Sequence, residues 1–371
     1  MSKYLASKSD KHLHKWGFKD SGFKSIGDKV VKFSGDRYEV SGTEMPDFIP
    51  YIEKMLNIEI EDNDKLKEVD EKFVSPSKVD KKFYQELEKI FENDKFTIEN
   101  TERLIHSHGQ ETFKDIYKVL YKSIDRIVDL VFYPESEEDV KKIIEIALKY
   151  NVCLIPYGGG TNVTRALSVP DNEKRTVVSI DTRRLSKIEW LNKEDRRVCV
   201  EAGITGKNLD ELLKKEGFMI GHEPDSVELS TIGGWIATNA SGMKKNKYGN
   251  IEDIVENVYL VTPKGEINQI KPISRGSIGF KPQNMLFGSE GNLGIITKAI
   301  LKIHERPEAQ EYNSVLFKSW GEGVTFLKKL SKTNYIPASV RLVDNIQFRF
   351  GQALKPRAEG LKKIKSKIES K

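Results

Sequence analysis

Hydrophobic and polar positions along the chain first predict a helix between two buried strands. Residues 127–133 form an apolar run typical of a strand. Ser136 and Asp139 have the spacing of a helix N-cap, and apolar side chains then recur at helical spacing as far as Leu148. Residues 152–155 form a second apolar run, which predicts a buried strand that leads into three consecutive glycines.

The same patterns continue downstream and predict an α+β fold. A helix is expected over residues 207–216, ending at Gly217. The turn sequence at residues 263–265 is expected to join two strands in a hairpin. Further strands are expected at residues 176–180, 188–191, 198–201, 258–262, 266–270 and 293–304.

Both ends of the chain show weaker patterns. The first 120 residues read as an irregular, partly helical extension, with short amphipathic helices at residues 83–91 and 112–121. From about residue 314 a strand (314–317), a helix (322–330) and a strand (338–343) resemble the opening of an α/β domain that the chain does not complete. The predicted division is an extension at residues 1–122, a central domain at 123–306 and an incomplete third domain at 307–371.

Composition narrows the classes of function. The chain has 371 residues and a formal net charge of +5, which is too weak a charge to indicate a nucleic-acid partner. Its two cysteines, Cys153 and Cys199, lie in apolar runs and fit buried reduced thiols better than a disulfide framework. No apolar stretch approaches the roughly 18 residues that span a bilayer, so any membrane contact is expected to be peripheral.

Gly158, Gly159 and Gly160 are the first candidate for chemistry. Consecutive glycines after a buried strand let backbone amides approach a phosphorylated ligand closely. Thr161, Asn162 and Val163 do not supply the Gly-Lys-Ser/Thr of a Walker loop, and no further glycine completes a Rossmann fingerprint. Taken alone, the three glycines are equally compatible with a structural turn.

Three more clusters of small residues favour a ligand over a turn. They lie at residues 224–234, 239–242 and 288–294, and the last one leads into a strand. Small side chains and hydroxyls let the backbone wrap along a long, thin ligand such as FAD. We therefore interpret the four clusters together as one nucleotide-binding site.

Several longer runs carry a resemblance to a known family. They include Gly221-His222-Glu223-Pro224-Asp225-Ser226, Ser241-Gly242-Met243-Lys244-Lys245-Asn246 and Pro337-Ala338-Ser339-Val340-Arg341-Leu342, besides the glycine loop and Trp16-Gly17-Phe18. With these runs the chain resembles the FAD-linked vanillyl-alcohol-oxidase superfamily and, within it, the alkylglycerone-phosphate synthase family. The resemblance extends from about residue 16 to residue 355.

The resemblance implies a two-subdomain FAD-binding domain of the vanillyl-alcohol-oxidase (PCMH) type, followed by the start of an α/β cap domain. It also implies a transferase of ether-lipid biosynthesis. Such an enzyme exchanges the acyl group of acyl-dihydroxyacetone phosphate for a long-chain fatty alcohol, with the flavin as covalent catalyst and no net redox change. Non-covalent FAD is expected, because the glycine loop offers only Tyr157 for covalent attachment.

The resemblance also implies site residues. His222, Asp225 and Arg341 match positions that the family needs for activity, whereas His106 and His108 are interpreted as structural and no metal site is expected. The cofactor-binding residues implied are Pro156, Tyr157, Gly158, Gly159, Gly160, Thr161, Asn162, Asp225, Ser226, Val227, Glu228, Leu229, Ser230, Thr231, Thr238, Asn239, Ala240, Ser241, Glu290, Gly291, Asn292, Leu293, Gly294, Ile295 and Ile296.

Further expectations concern activity and location. The family places a catalytic tyrosine, a histidine cluster and a phosphate-binding arginine beyond the matched region, so we expect this chain to bind FAD but to transfer little alkyl group. The alternatives are an FAD-dependent 2-hydroxy-acid oxidoreductase of the same superfamily and a catalytically incomplete flavin-binding scaffold. The family implies a peroxisomal location, peripheral membrane contact and compatibility with a homodimer, although neither end of the chain carries a clear targeting signal.

Overall fold

The structure is a computed structural model that describes residues 11–12, 17–61, 64, 73–109, 112–124, 126–268, 273, 276–277 and 279–356. Its N-terminal part consists of β1 (Gly22–Ser25), β2 (Val31–Ser34), β3 (Glu44–Met45), α1 (Phe48–Leu56), α2 (Lys81–Ile90), β4 (Phe96–Thr97), α3 (Asn100–Ile105) and α4 (Phe113–Leu120). The helices predicted at residues 83–91 and 112–121 are confirmed as α2 and α4. The antiparallel sheet β1-β2-β3 was not predicted.

The central part contains most of the regular structure. Its elements are β5 (Leu130–Phe132), α5 (Glu137–Lys149), β6 (Cys153–Tyr157), β7 (Val177–Asp181), β8 (Ile188–Asn192), β9 (Arg197–Glu201), α6 (Gly206–Lys215), β10 (Phe218–Met219), α7 (Ile232–Ala237), α8 (Lys245–Tyr248), α9 (Ile251–Ile254), β11 (Val255–Thr262), β12 (Gly265–Ile267), β13 (Ile295–Lys302) and β14 (His304–Glu305). The α+β fold class is confirmed.

Two sheets form the scaffold of the central part. The first has the order β4-β5-β7-β6, with β5 and β6 parallel to β7, and α2 and α5 contribute to its core. The second is antiparallel, with the order β12-β11-β13-β9-β8, and α6, α7 and α9 contribute to its core. Val261 and Ile295 of the second sheet pack into the core of the first, so the two sheets meet along β11 and β13.

The helix α5 shows how local sequence determines its boundaries. The Ser136 hydroxyl accepts a hydrogen bond from the Asp139 N–H at 3.1 Å, as the N-cap pattern predicted. Val140, Ile143 and Ala147 are buried on one face, and the chain then turns through Asn151, whose φ is +53°. Since β6 follows directly, this helix delivers the chain to the glycine loop.

The C-terminal part differs from its prediction. The helix expected at residues 322–330 is present as α10 (Trp320–Leu330), and an unpredicted helix α11 (Asn345–Ala353) follows it. The strands expected at residues 314–317 and 338–343 are wrong, because both segments are irregular and largely exposed. A strand needs a neighbour for its backbone hydrogen bonds, and no described strand pairs with either segment.

Two further observations complete the fold. Cys153 and Cys199 are free thiols; Cys199 is buried and Cys153 is half-buried. Across the described ranges, no helix combines the length and the apolar character needed to cross a bilayer.

Candidate functional site

A cavity of about 380 Å³ lies where the two sheets meet. The end of β6 and the glycine loop form one wall, and α7 with the start of β13 forms the opposite wall. All four clusters of small residues contribute to its lining. The cavity therefore joins segments that lie more than a hundred positions apart in sequence.

The glycine loop approaches the opposite wall so closely that side chains would not fit. A Cβ atom on Gly158 would lie 2.4 Å from the Thr231 Oγ1 atom, and one on Gly159 would lie 2.2 Å from the Leu229 carbonyl oxygen. Gly160 has a φ of +76°, a left-handed conformation that favours glycine. Each of the three glycines is thus required by local geometry.

The same loop presents backbone donors to the cavity. Within the described part of the chain, the N–H groups of Gly158, Gly159, Gly160 and Thr161 have no hydrogen-bond acceptor. Consecutive N–H groups without partners form the kind of concave site that binds phosphate oxygens. The loop therefore fits the diphosphate of a dinucleotide, and the small-residue walls fit a long, thin ligand.

Most residues predicted to bind the cofactor line this cavity. The exceptions are Val227, Glu228, Leu229, Asn292 and Leu293. Of these, Leu229 is buried and its carbonyl lies close against Gly159, whereas Val227 and Glu228 line a second cleft. Lining residues that sequence reasoning missed are Val163, Thr164, Ala166, Leu167, Thr182, Trp235 and Ala237. Pro224, Gly233, Gly234 and Ser289 also line the cavity; they lie within the predicted clusters but not among the predicted cofactor contacts. Most of the missed residues neighbour a predicted residue, so extending each cluster by a few positions would have found them.

Asp225 and Arg341, two of the three predicted catalytic residues, lie together. The Arg341 guanidinium is 4.0 Å from the Asp225 carboxylate and also contacts the Met243 sulfur. The Asp225 side chain is 90% exposed and the Arg341 side chain 60% exposed, so their attraction contributes little to stability. Asp225 lines the cavity, which places this pair at its edge.

His222, the third predicted catalytic residue, is buried outside the cavity. Its ring contacts the Trp235 ring edge-on, with centroids 4.9 Å apart, and Trp235 separates it from the cavity. Neither ring nitrogen has a hydrogen-bond partner within the described residues. Burial lowers the pKa of His222 to about 4, so the ring is neutral at neutral pH. It lines the second cleft, of about 830 Å³.

A buried ionic cluster lies beneath the glycine loop, formed by Lys11, Glu102, His106, Asp181 and Arg183. The Asp181 carboxylate accepts hydrogen bonds from the His106 Nε2 atom at 2.8 Å and from the Arg183 Nε atom at 2.9 Å. The His106 Nδ1 atom lies 2.7 Å from the Glu102 carbonyl oxygen. Sequence reasoning missed this cluster, because its members come from three separate segments without a shared motif.

Electrostatics within the cluster favour the charged forms of its central pair. Burial alone would raise the pKa of Asp181, but the Arg183 guanidinium and the His106 ring hold it well below its usual range. Burial would lower the pKa of Arg183, yet the Asp181 carboxylate raises it. The pair is therefore a salt bridge at the end of β7, in which the Asp181 side chain is fully buried and the Arg183 side chain is 17% exposed.

The Thr231 hydroxyl provides a test of how the opposite wall is held. It is fully buried and accepts a hydrogen bond from the Gly234 N–H at 3.2 Å, which caps α7. We expect Thr231→Val to lower the free energy of unfolding by about 1 kcal/mol, as lost N-caps do, measured by urea denaturation. Thr325→Val is the control: its hydroxyl bonds only the Gly321 carbonyl on an exposed helix, and it should change stability by less than about 0.5 kcal/mol. Equal effects of the two changes would contradict the capping role.

Comparison with known proteins agrees with this geometry. Residues 128–271 match the family described as "FAD binding domain", which confirms FAD as the predicted cofactor. The alkyldihydroxyacetonephosphate synthase of Caenorhabditis elegans is 42% identical over 349 residues, 92% of this chain and 56% of that protein. A mitochondrial D-lactate dehydrogenase (cytochrome) of Kluyveromyces lactis is 30% identical over 278 residues, 73% of this chain and 47% of that protein.

A solved structure of an alkyldihydroxyacetonephosphate synthase is similar over almost all of this chain. Its TM-score is 0.88 at 31% identity, and the match covers 98% of this chain and 67% of that one. The chain spans about half the length of the curated relatives that it matches. Both the identity and the coverage favour the synthases over the lactate dehydrogenases. The chain belongs to the alkyldihydroxyacetonephosphate synthase family.

Proposed function

We propose that this chain provides the flavin site of an ether-lipid transferase, which exchanges the acyl group of acyl-dihydroxyacetone phosphate for a long-chain fatty alcohol. The observation that carries the proposal is the cavity. There a glycine loop, whose N–H groups have no acceptor among the described residues, faces a wall of small residues. The family supports the choice of reaction, since its members are named for the alkyl-dihydroxyacetone-phosphate product.

In this proposal the glycine loop holds the diphosphate of FAD, and the other small-residue clusters hold the rest of the cofactor. When bound, the flavin supplies covalent catalysis without net redox change. Tyr157 does not become attached to it, because its ring is buried and burial raises the pKa of its phenol, which keeps it protonated. FAD binding is therefore non-covalent.

The three predicted catalytic residues have distinct parts in this proposal. Arg341, at the edge of the cavity, is placed to bind an anionic substrate group, and Asp225 orients its guanidinium. His222 is neutral because burial lowers its pKa, and in this proposal it packs behind Trp235 and holds that ring at the cavity wall. We thus propose that the cofactor binds at the glycine loop and that the substrate binds near Arg341.

The proposal includes the partners and the location that the family implies. The substrates are acyl-dihydroxyacetone phosphate and a fatty alcohol, and both carry long apolar chains. Peripheral contact with a membrane would give access to them, and a peroxisomal location and a homodimer complete the proposal. We also propose that the chain is divided into an extension at residues 1–122, an FAD-binding domain at 123–306 and the beginning of a cap domain at 307–371.

Flavin reduction distinguishes the proposed transferase from an oxidoreductase. We expect the purified chain to show FAD absorbance that D-lactate or glycolate does not bleach under anaerobic conditions. Slow, FAD-dependent release of fatty acid from acyl-dihydroxyacetone phosphate, on addition of hexadecanol, is the positive signal for the transferase, since we expect this chain to transfer little alkyl group. Rapid bleaching by a 2-hydroxy acid would support the oxidoreductase instead, FAD with neither reaction would support the scaffold, and a protein that binds no FAD would contradict all three functions.

A further inference from the structure

Lys11 is a buried lysine that reaches the underside of the glycine loop. Its side chain is 3% exposed, and its Nζ atom donates hydrogen bonds to the Gly159 carbonyl at 2.7 Å and to the Tyr157 hydroxyl at 3.0 Å. Lysine is almost never fully buried unless it is paired. Burying this one therefore requires both oxygens, which belong to the loop and to the strand before it.

The segment that carries Lys11 is itself anchored. Lys11 pairs with Phe18 through an antiparallel backbone bridge, and the His12 N–H donates to the Gly17 carbonyl at 3.2 Å. The Phe18 ring lies 4.2 Å beneath the Arg37 guanidinium. These contacts hold the backbone around Lys11 in place independently of the contact between its amino group and the glycine loop.

The hydrogen bond between Lys11 and the Gly159 carbonyl also determines the direction of the Gly160 N–H. The chain contains no cis peptide among the described residues, and in a planar trans peptide the carbonyl and the next N–H point in opposite directions. Because Lys11 holds the Gly159 carbonyl toward the interior, the Gly160 N–H is turned away from it. Gly160 lines the cavity, and its N–H has no acceptor among the described residues.

We propose that Lys11 is a positioning residue for the cofactor: it fixes the Gly159–Gly160 peptide so that the Gly160 N–H is aimed at an anionic diphosphate group in the cavity. The inference deepens the proposed function and rests on FAD as the occupant of this site. Lys11 does not line the cavity and acts only through the loop.

Lys11 can position the loop whether its amino group is charged or neutral, because the role requires only a hydrogen-bond donor to the Gly159 carbonyl. Burial, reinforced by the nearby Arg183, lowers the pKa of Lys11, and Asp181 and Glu102 act in the opposite direction. Both an ammonium and a neutral amine can donate to a carbonyl. Methionine has nearly the same length and no donor, which makes it the informative replacement.

The test compares Lys11→Met with Lys19→Met, an exposed lysine of the same segment. FAD affinity is measured by flavin fluorescence titration, and the stability of the FAD-free protein by urea denaturation. We expect Lys11→Met to weaken FAD binding about tenfold and Lys19→Met to leave it unchanged. Riboflavin, which lacks phosphate, should bind both variants and the unaltered protein equally, because the aimed N–H meets only the diphosphate.

The outcomes separate this inference from the proposed function. If the unaltered protein binds no FAD, the proposed function fails. If it binds FAD and Lys11→Met binds FAD equally well, or loses FAD and riboflavin affinity in the same proportion, only the inference is overturned. Should Lys11→Met not fold, Tyr157→Phe removes one of the two oxygens that hold Lys11. Because Tyr157 also lines the cavity, the readout is the ratio of FAD affinity to riboflavin affinity. This ratio should fall about threefold, and an unchanged ratio would overturn the inference.

Discussion

Gly159→Ala is expected to weaken FAD binding by at least about 100-fold, equivalent to roughly 3 kcal/mol. The added Cβ atom would lie 2.2 Å from the Leu229 carbonyl oxygen and 2.9 Å from the Ser230 Cα atom. Both contacts are to backbone, so no side chain can rotate away to relieve them. The loop would have to move away from the opposite wall, which displaces the N–H groups that face the cavity.

Gly351→Ala is the matched control for this substitution. Gly351 lies in α11, a Cβ atom there meets nothing within 4 Å, and its φ is not in the left-handed region. We expect unchanged FAD affinity and a stability equal to or slightly above that of the unaltered protein. Fluorescence titration measures affinity, and circular dichroism reports whether Gly159→Ala is folded. A folded Gly159→Ala protein with normal FAD affinity would contradict the assignment of the loop.

Patterns that depend on neighbours in sequence were predicted well. The cap at Ser136, the amphipathic face of α5 and the strand that becomes β6 all arise from spacing within about a dozen residues. The glycine loop could be located for the same reason. Its fit to a diphosphate could not be read from the glycines alone, because it depends on Leu229 and Thr231 of the opposite wall.

Features that depend on distant segments were not predicted. The contact between Lys11 and Gly159 joins positions 148 residues apart, and that between His106 and Asp181 joins positions 75 residues apart. The spacing of apolar and polar residues along the chain cannot predict contacts between positions so far apart. The small sheet β1-β2-β3 was missed because its first strand has no buried position, so its sequence lacks the alternation that identifies a half-buried strand.

The wrong strands at residues 314–317 and 338–343 have a related cause. Their apolar residues suit a strand, but a strand forms only beside another one. Val315 and Leu316 are 59% and 63% exposed, and Val343 is 46% exposed. The apolar, β-branched residues of these segments favour a strand, but the segments stay irregular because no neighbouring strand pairs with them.

The second substitution with a large expected effect is Asp181→Asn, which should lower the free energy of unfolding by about 3–5 kcal/mol. Asp181 is fully buried and receives hydrogen bonds from the side chains of His106 and Arg183 and from the Arg183 backbone N–H at 3.0 Å. Asparagine has nearly the same shape but no charge, so the Arg183 guanidinium would be left in the interior without its counter-ion. Urea denaturation at pH 7 measures the loss.

Asp20→Asn is the control, since Asp20 pairs with Arg37 but its side chain is 48% exposed, and we expect a loss below about 1 kcal/mol. The dependence on pH supplies an independent check. Because the pKa of Asp181 is lowered by folding, its charge stabilises the protein fully above the unfolded-state pKa of about 3.9, and this stabilisation is lost as the pH falls further. The stability difference between the unaltered protein and Asp181→Asn should therefore narrow as the pH falls below about 4. A difference that grew toward acid pH would mean that the Asp181 carboxylate is not the stabilising group beneath the loop.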